Sequence, residues 1–463
     1  MSLPPSRVLP TRPEFRELLT LALPVVAVQL GLMAMGVVDS MMAGRLSAEA
    51  LAAVALGNLF FFTVAIIGMG TLLALDPVVS QAVGARDEPA IARGLQRGLI
   101  MAVLLSIPSA AALLLVRPAL AWSGQPAELI PLASRYTHVI VPGVLPFFVF
   151  IVFRQSLQAL GRVAPILWIA LIANLLNAFL NWVFMYGRLG VPSMGVAGSA
   201  LATTVSRWAM ALGLLVVARR ELVPRLRPWR REATQPAALL RMLRIGFPIG
   251  AQMFFEYGVF SVVGALMGRF GTMAVAGHQV ALNLASVVFM VPQGIGAAAA
   301  VLVGRAIGAE DLPRARRAAL GSILLGGGFM AGSATLFILA PGALARMYSG
   351  HAVVLSIASA LIVLAGVFAV FDGLQAVAIG VLRGIGDTTA PVLISMVGYW
   401  VVGMPVSLAL GFRYGLGPEG LWWGLVVGLA VTAPILLARV RGRLRRSLRR
   451  ILIDHPAVET GEA

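Results

Sequence analysis

Apolar residues in this chain gather in long blocks, with the polar ones collected between them. A helix of about 20 apolar residues crosses the ~30 Å hydrocarbon core of a bilayer. Twelve runs of that kind can be read along the 463 residues. They are 18–43, 51–83, 95–116, 129–153, 165–186 and 194–218, then 245–267, 275–303, 318–340, 353–382, 391–412 and 421–438. Pro131, Pro142 and Pro146 interrupt the fourth, the least continuous of the set. The pattern predicts an all-α polytopic membrane protein with twelve transmembrane helices. Residues 1–16 are polar and Pro-rich, and the first apolar run is too long for the h-region of a removable signal peptide.

Charge sorts onto two sides of those spans. All 36 basic residues are Arg. With twelve spans, 28 of them, beginning with Arg7, Arg12 and Arg16, share a side with both termini. Seven fall on the other side, and Arg207 alone lies inside a run. The positive-inside rule then places both termini in the cytoplasm and the chain in the plasma (inner) membrane. An odd number of spans would mix the two sets. The basic blocks at 225–231 and 439–450 read as topogenic charge against anionic lipid headgroups. Neither adjoins a soluble domain large enough to fold. Membrane lipids, and no nucleic acid, are therefore the expected partners.

Composition narrows the chemistry. At 59% hydrophobic and 12% charged residues the chain is not a soluble globular protein. Without cysteine there is no disulfide, iron–sulfur or thiolate metal site. Without lysine there is no Walker A loop, and no H-E-x-x-H motif occurs. The expectation is a protein that is not an enzyme and carries no cofactor.

The chain also repeats itself. At an offset of 224 residues Pro24 meets Pro248, Gly44-Arg45 meets Gly268-Arg269, and the segment from Gln81 to Asp87 meets that from Arg305 to Asp311. With one residue of slip Asn58 meets Asn283 and Gly161 meets Gly386. An ordered series at one offset signals duplication. Six spans per half is an even number, so the halves are parallel repeats about a pseudo-two-fold axis along the membrane normal. Expected domains are an N-lobe at 1–218, a cytoplasmic basic linker at 219–241, a C-lobe at 242–440 and a basic cytoplasmic tail at 441–463. Halves of this kind enclose a cavity and rock about it, which favours a carrier over a channel or an intramembrane enzyme.

Four acids lie within spans: Asp39, Asp76, Glu256 and Asp372. An ionised group near the bilayer centre costs about 2.5–3.5 kcal/mol even on the lenient insertion scale, so each requires a reason. Asp76 precedes Pro77 and can also accept a backbone N–H freed by a kink. Arg207 is a candidate counter-charge. Asn174, Asn177 and Asn181 share one face of the fifth span, and Gln279 and Asn283 stand four apart on the eighth beside His278. Those amides face protein or a wet cavity, as interhelical hydrogen bonds or as neutral oxygen ligands for a cation. His278 reads as a packing residue. A desolvated carboxylate either takes a proton or keeps its charge by holding a cation. Both states exchange with a lipophilic cation competing for the same site, so entry of Na⁺ or H⁺ can drive exit of small-molecule drugs.

Several motifs carry a family likeness. The runs from Val38 to Leu46 and Ala50 to Val54, Gln81 to Ala85, Ala276 to Ala281, and Leu382 to Thr388 together resemble the landmarks of multidrug and toxic compound extrusion transporters. The resemblance covers about residues 15–438 and implies two six-helix bundles forming a V-shaped central cavity. It implies efflux of amphipathic organic cations by a monomeric secondary antiporter. By position, Asp39 with Asn177, Asn181 and Thr203 matches an N-lobe polar cluster. Glu256 and Asp372 match the C-lobe cation site of a sodium-type, NorM-like branch, with Na⁺ possible there or at Asp39. Phe368 stands where such members can have tyrosine, and Asp76 is similar to a second-span acid of other relatives. A flippase for a lipid-linked precursor is the rival reading, disfavoured because such a client calls for cationic cavity residues.

Overall fold

The computed structural model describes residues 9–454. Arg7 and the tail from 455 to 463 lie outside the described residues. Among the described residues there is no strand, and twelve helices are long and apolar enough to cross a membrane. They are α1 (Arg12–Leu46), α2 (Ala48–Gly84), α3 (Glu88–Leu114), α4 (Leu129–Ala159), α5 (Ala164–Phe184) and α6 (Val196–Val217). After them come α7 (Pro236–Phe270), α8 (Thr272–Gly308), α9 (Leu312–Leu339), α10 (Ala352–Ile385), α11 (Thr389–Arg413) and α12 (Gly417–Arg445). Each overlaps one expected apolar run.

Most helices run past their apolar cores into polar sequence, because the flanking residues satisfy the orphan backbone groups. Asp87 caps α3 by accepting from Ala90 N at 3.0 Å, and Asp311 caps α9 by accepting from Arg314 N at 2.9 Å. The residues before them, Arg86 and Glu310, both hold the left-handed backbone, at φ 55° and 60°. Equal turns and equal caps 224 residues apart give the repeat a structural form. α7 ends in a 3₁₀ turn at Gly268–Phe270, and three helices depart from α geometry within their length. α2 breaks at Leu73 and Ala74, just ahead of Asp76-Pro77. α4 passes through a 3₁₀ turn at Val141–Gly143, where Pro142 denies the backbone a donor. α11 is π-helical over Val397–Gly403 and Ala409–Arg413.

The chain forms two compact units. One contains Ala27–Gly250 and the last segment from Leu452, the other Ala251–Ile451 and the first segment up to Val26. The divisions fall inside α1 and α7, three residues after Pro24 and Pro248, and not in the basic stretch 219–241. That stretch is built into the first unit. Gln96 of α3 donates to the carbonyls of Arg225 and Pro228 at 3.0 and 3.1 Å, and Arg97 donates to Glu232 O at 2.9 Å. The tail is held there too: Asp454 pairs with Arg93 at 2.7 Å and with Arg97, and Arg241 donates to Ile453 O at 2.7 Å.

Within the first unit α2 lies close against α4, because a side chain at Gly57 or Gly68 would strike the rings of Tyr136 and Phe148. Within the second, Gly380 and Gly384 of α10 meet the backbone of Gly296 and Ala300 on α8. Small residues one turn apart let two membrane helices approach this closely. α5 shows how the faces are divided. Asn177 and Asn181 are fully buried, whereas Leu175, Phe179 and Trp182 on the opposite side are exposed, as suits a surface bathed by lipid.

Candidate functional site

Each unit holds a buried acidic site, and the first has Asp76 as a further buried acid. In the first, Asp39 of α1 is 2% exposed. Its Oδ1 accepts from the Asn181 amide at 2.6 Å and its Oδ2 from the Thr203 hydroxyl at 2.9 Å. Asn177 completes the set: Asn181 donates to its Oδ1 at 3.2 Å, and its own amide reaches Thr203 Oγ1 at 3.4 Å. The four-residue spacing of Asn177 and Asn181 makes this possible, since both then face α1 and α6 from one side of α5. Asp39 is therefore a carboxylate whose two oxygens are each hydrogen-bonded by neutral donors, with no cation among its direct partners.

Asn174 and Asp76 stand apart from that cluster, whereas Arg207 and Tyr136 border it. Asn174 donates to Gly31 O at 2.9 Å and to Ala170 O at 2.8 Å, tying α5 to α1 as an interhelical staple. Asp76 is buried beyond the break in α2, where it accepts from Gln155 of α4. Arg207 forms no direct ion pair with any of the four acids, although its charge and that of Asp39 act on each other at longer range. Its guanidinium instead lies 3.9 Å from the centroid of the Phe61 ring and 5.0 Å from that of Phe147. Such stacking contributes about 2 kcal/mol when desolvated, short of the several kcal/mol that removing the charge from water costs. Tyr136, fully buried, donates to Asn58 at 2.9 Å.

The second unit brings together Glu256 of α7, Asp372 and Gln375 of α10 and Tyr399 of α11. Gln375 Nε2 lies 3.3 Å from Glu256 Oε1 and 3.1 Å from the Tyr399 hydroxyl. Gln252, one turn before Glu256, also hydrogen-bonds that carboxylate. Asp372 differs from every other acid in the spans. It is 6% exposed, makes no hydrogen bond or ion pair among the described residues, and lies within reach of the Glu256 charge. Two like charges in so poorly polar a setting repel, and a proton or a monovalent cation between them relieves the repulsion. The oxygens of Glu256, Asp372, Gln375 and Tyr399 are the donors available to such an ion. Among the described residues no three acids or histidines gather as a metal site.

The remaining expected residues of this unit lie outside the acidic pair. Phe368 is 3% exposed, set edge-on to Phe260 at 5.9 Å and to Trp422 at 5.8 Å, and so forms part of the core. Gln279 is exposed and Asn283 half-buried, and neither makes a side-chain hydrogen bond among the described residues. His278 accepts at Nδ1 from the Trp422 indole at 3.1 Å, in keeping with a packing role. Gln252, Gln375 and Tyr399 were not singled out by sequence reasoning. For the two glutamines a signal existed, since each stands one helical turn from an acid already chosen.

The family model MatE matches twice, at residues 24–183 and again at 248–408, and the second match begins 224 residues after the first. A probable multidrug resistance protein NorM of Rhizobium meliloti (strain 1021) is 37% identical over 442 residues, which cover 93% of this chain and 94% of that one. The multidrug resistance protein PmpM of Pseudomonas aeruginosa (strain PAO1) is 38% identical over 470 residues, covering 100% and 98%. Among solved structures, the eukaryotic MATE transporter AtDTX14 superposes with a TM-score of 0.85 at 21% identity, covering 94% of this chain and 98% of that one. A Vibrio cholerae MATE transporter, VcmN in its bent form, does so at 0.80 and 20%, covering 93% and 97%. A doubled family match, full-length relatives above one-third identity and a shared fold lead to one conclusion: this multi-pass membrane chain belongs to the MatE family, the multidrug and toxic compound extrusion proteins.

Proposed function

We propose that the protein is a secondary antiporter, and not an enzyme, that exports amphipathic, mostly cationic compounds in exchange for inward Na⁺ or H⁺ by alternating access. Both termini are cytoplasmic in this reading, in a plasma (inner) membrane. The observation that carries it is Asp372, a carboxylate in the middle of a membrane helix with no hydrogen-bond or ion-pair partner among the described residues and a second carboxylate, Glu256, within reach. A group in that position is kept where something positive visits it in turn. Ion occupancy and drug occupancy then compete for one seat, and each biases the protein toward a different arrangement. The relatives named multidrug resistance proteins support export of drugs.

Purified protein in liposomes preloaded with a fluorescent organic cation, with Na⁺ and pH gradients imposed separately, tests the reading. Efflux driven by at least one gradient and abolished by Asp372→Asn supports it. Flux indifferent to both gradients overturns it.

A further inference from the structure

The basic stretch that joins α6 to α7 is more firmly built than a topological signal requires. Charge alone orients a span, and a loose loop carries charge as well as a fixed one does. This loop is pinned. Gln96 of α3 is fully buried, and its amide is spent on backbone: it donates to the carbonyls of Arg225 and Pro228 at 3.0 and 3.1 Å and accepts from Arg230 N at 2.9 Å. Arg97 donates to Glu232 O, and the side chains of Leu222 and Ala233 are buried on either side. One buried amide that satisfies three backbone groups of a loop fixes the shape of that loop.

The side chains that the loop presents divide into two kinds. Arg225 belongs to the framework, donating to Glu221 O at 2.6 Å and pairing with Glu88 at 3.0 Å. Arg227, Arg230 and Arg231 do not. Their guanidinium groups make no hydrogen bond or ion pair among the described residues, and Nε of Arg230 is buried without an acceptor. Glu232, the one carboxylate at 225–235, pairs with none of them. Trp229, 49% exposed, stands among the three. A guanidinium fork matches two oxygens of a phosphate, and a tryptophan ring settles at the depth of lipid headgroups.

We infer that the loop at 225–231 is a binding site for the phosphate of an anionic phospholipid, received by Arg227, Arg230 and Arg231 with Trp229 at the level of the lipid glycerol. Such a site differs from the diffuse attraction of a basic surface to a charged membrane: it depends on which arginines are present and on the shape that Gln96 gives the loop, and not only on how many charges there are. It stands apart from the buried acids of the spans and does not rest on the export reading.

Phosphatidylglycerol labelled on its acyl chain, titrated into the purified full chain in a neutral detergent, tests the site, with the phosphatidylcholine analogue as the zwitterionic control. The double variant Arg227→Gln/Arg231→Gln is compared with Arg219→Gln/Arg220→Gln, which removes the same charge from exposed positions earlier in the same stretch. The wild type is expected to bind phosphatidylglycerol saturably and in preference to phosphatidylcholine. Affinity should fall about tenfold in the first pair and at most about twofold in the second. Gln96→Met keeps every arginine but unpins the loop, and is expected to lose about fivefold. Equal losses in the two arginine pairs reduce the loop to diffuse charge and overturn the site, as does wild-type binding that does not distinguish the two lipids. Displacement of the labelled lipid by millimolar inorganic phosphate would reveal a site for free anions and overturn the lipid assignment. A folded Gln96→Met protein that binds like the wild type also overturns it; should that variant not fold, the two arginine pairs decide.

Discussion

The two units descend from one repeat, yet their acidic sites have opposite characters. In the first, a single carboxylate is surrounded by neutral donors from two helices, with both of its oxygens engaged. In the second, two carboxylates stand within reach of each other, and one of them makes no hydrogen bond among the described residues. Duplication therefore preserved the caps, the turns and the small-residue contacts while the buried polar chemistry diverged. Asp39 falls opposite Val263 in the repeat and Glu256 opposite Leu32, so neither acid is a copy of the other. The difference suggests a division of labour. The Asp39 carboxylate is satisfied by protein partners alone and responds when its hydrogen bonds rearrange. The Glu256–Asp372 site is incomplete without a visiting ion.

That contrast is sharpest under charge removal. Asp372→Asn and Glu256→Gln each remove half of the ion's seat and relieve the repulsion that makes the seat attractive. Gradient-driven efflux is expected to fall by about 100-fold in either variant, the upper range of an ion–drug coupling free energy. Proteoliposome efflux at matched protein insertion measures it. Parental efflux from either variant would remove that residue from the coupling site. Asp39→Asn should cost less, about tenfold. One of its amide N–H groups would face the Asn181 or Thr203 donor, leaving buried hydrogen bonds unmade at about 1–3 kcal/mol. The same assay ranks the variants, and an Asp39→Asn defect larger than that of Asp372→Asn would reverse the proposed division.

The sequence carried the scaffold and about half of this chemistry. Twelve apolar runs and a repeat at 224 residues are long-range patterns that no local packing can disguise, and each run became a helix. Asn177 and Asn181 were legible together because a four-residue spacing fixes a shared face. Asn174, on the same stripe, is committed instead to Gly31 and Ala170, since a stripe names a face and not a depth. Gln279 and Asn283 share that ambiguity. The partner of Arg207 was sought among acids, whereas the structure supplies two phenylalanine faces from separate spans, which no spacing rule connects to α6. Tyr399 was hidden for another reason. It sits in the π-helical stretch Val397–Gly403, where the 3.6-residue period used to sort faces does not hold.

Tyr399 gives a finer test of the open site. Its hydroxyl is shared with Gln375, which in turn lies against Glu256, so it positions an ion-binding amide and can itself offer an oxygen to the ion. Tyr399→Phe removes the hydrogen bonds of the hydroxyl, each of about 0.5–1.5 kcal/mol, and keeps the ring. The concentration of the coupling ion that half-saturates efflux is expected to rise about fivefold with little change in the maximal rate. A fall in maximal rate with unchanged half-saturation would instead assign the hydroxyl to the conformational step.

A carboxylate outside the spans marks the far end of the comparison, because its cations are permanent. Asp454 pairs with Arg93 at 2.7 Å and with the buried Arg97, fixing the tail to α3. Burial pushes its carboxyl up, but the Arg97 hydrogen bond and charge, followed by those of Arg93, outweigh that effect and hold it below the ordinary carboxylate value. A depressed value means that the folded protein binds this proton less readily than the unfolded chain. The pairing therefore stabilises above the unfolded value of about 3.9 and is lost as pH falls through the lower, folded one. Asp454→Asn should melt about 1–2 °C below the wild type at pH 7, in keeping with a partly exposed ion pair of about 1 kcal/mol or less. The gap should narrow as the pH is lowered toward 3, and ion-coupled efflux should be unchanged. A gap that persists undiminished in acid would show that the tail is held by packing around Ile453 and by Arg241, and not by the charge of Asp454.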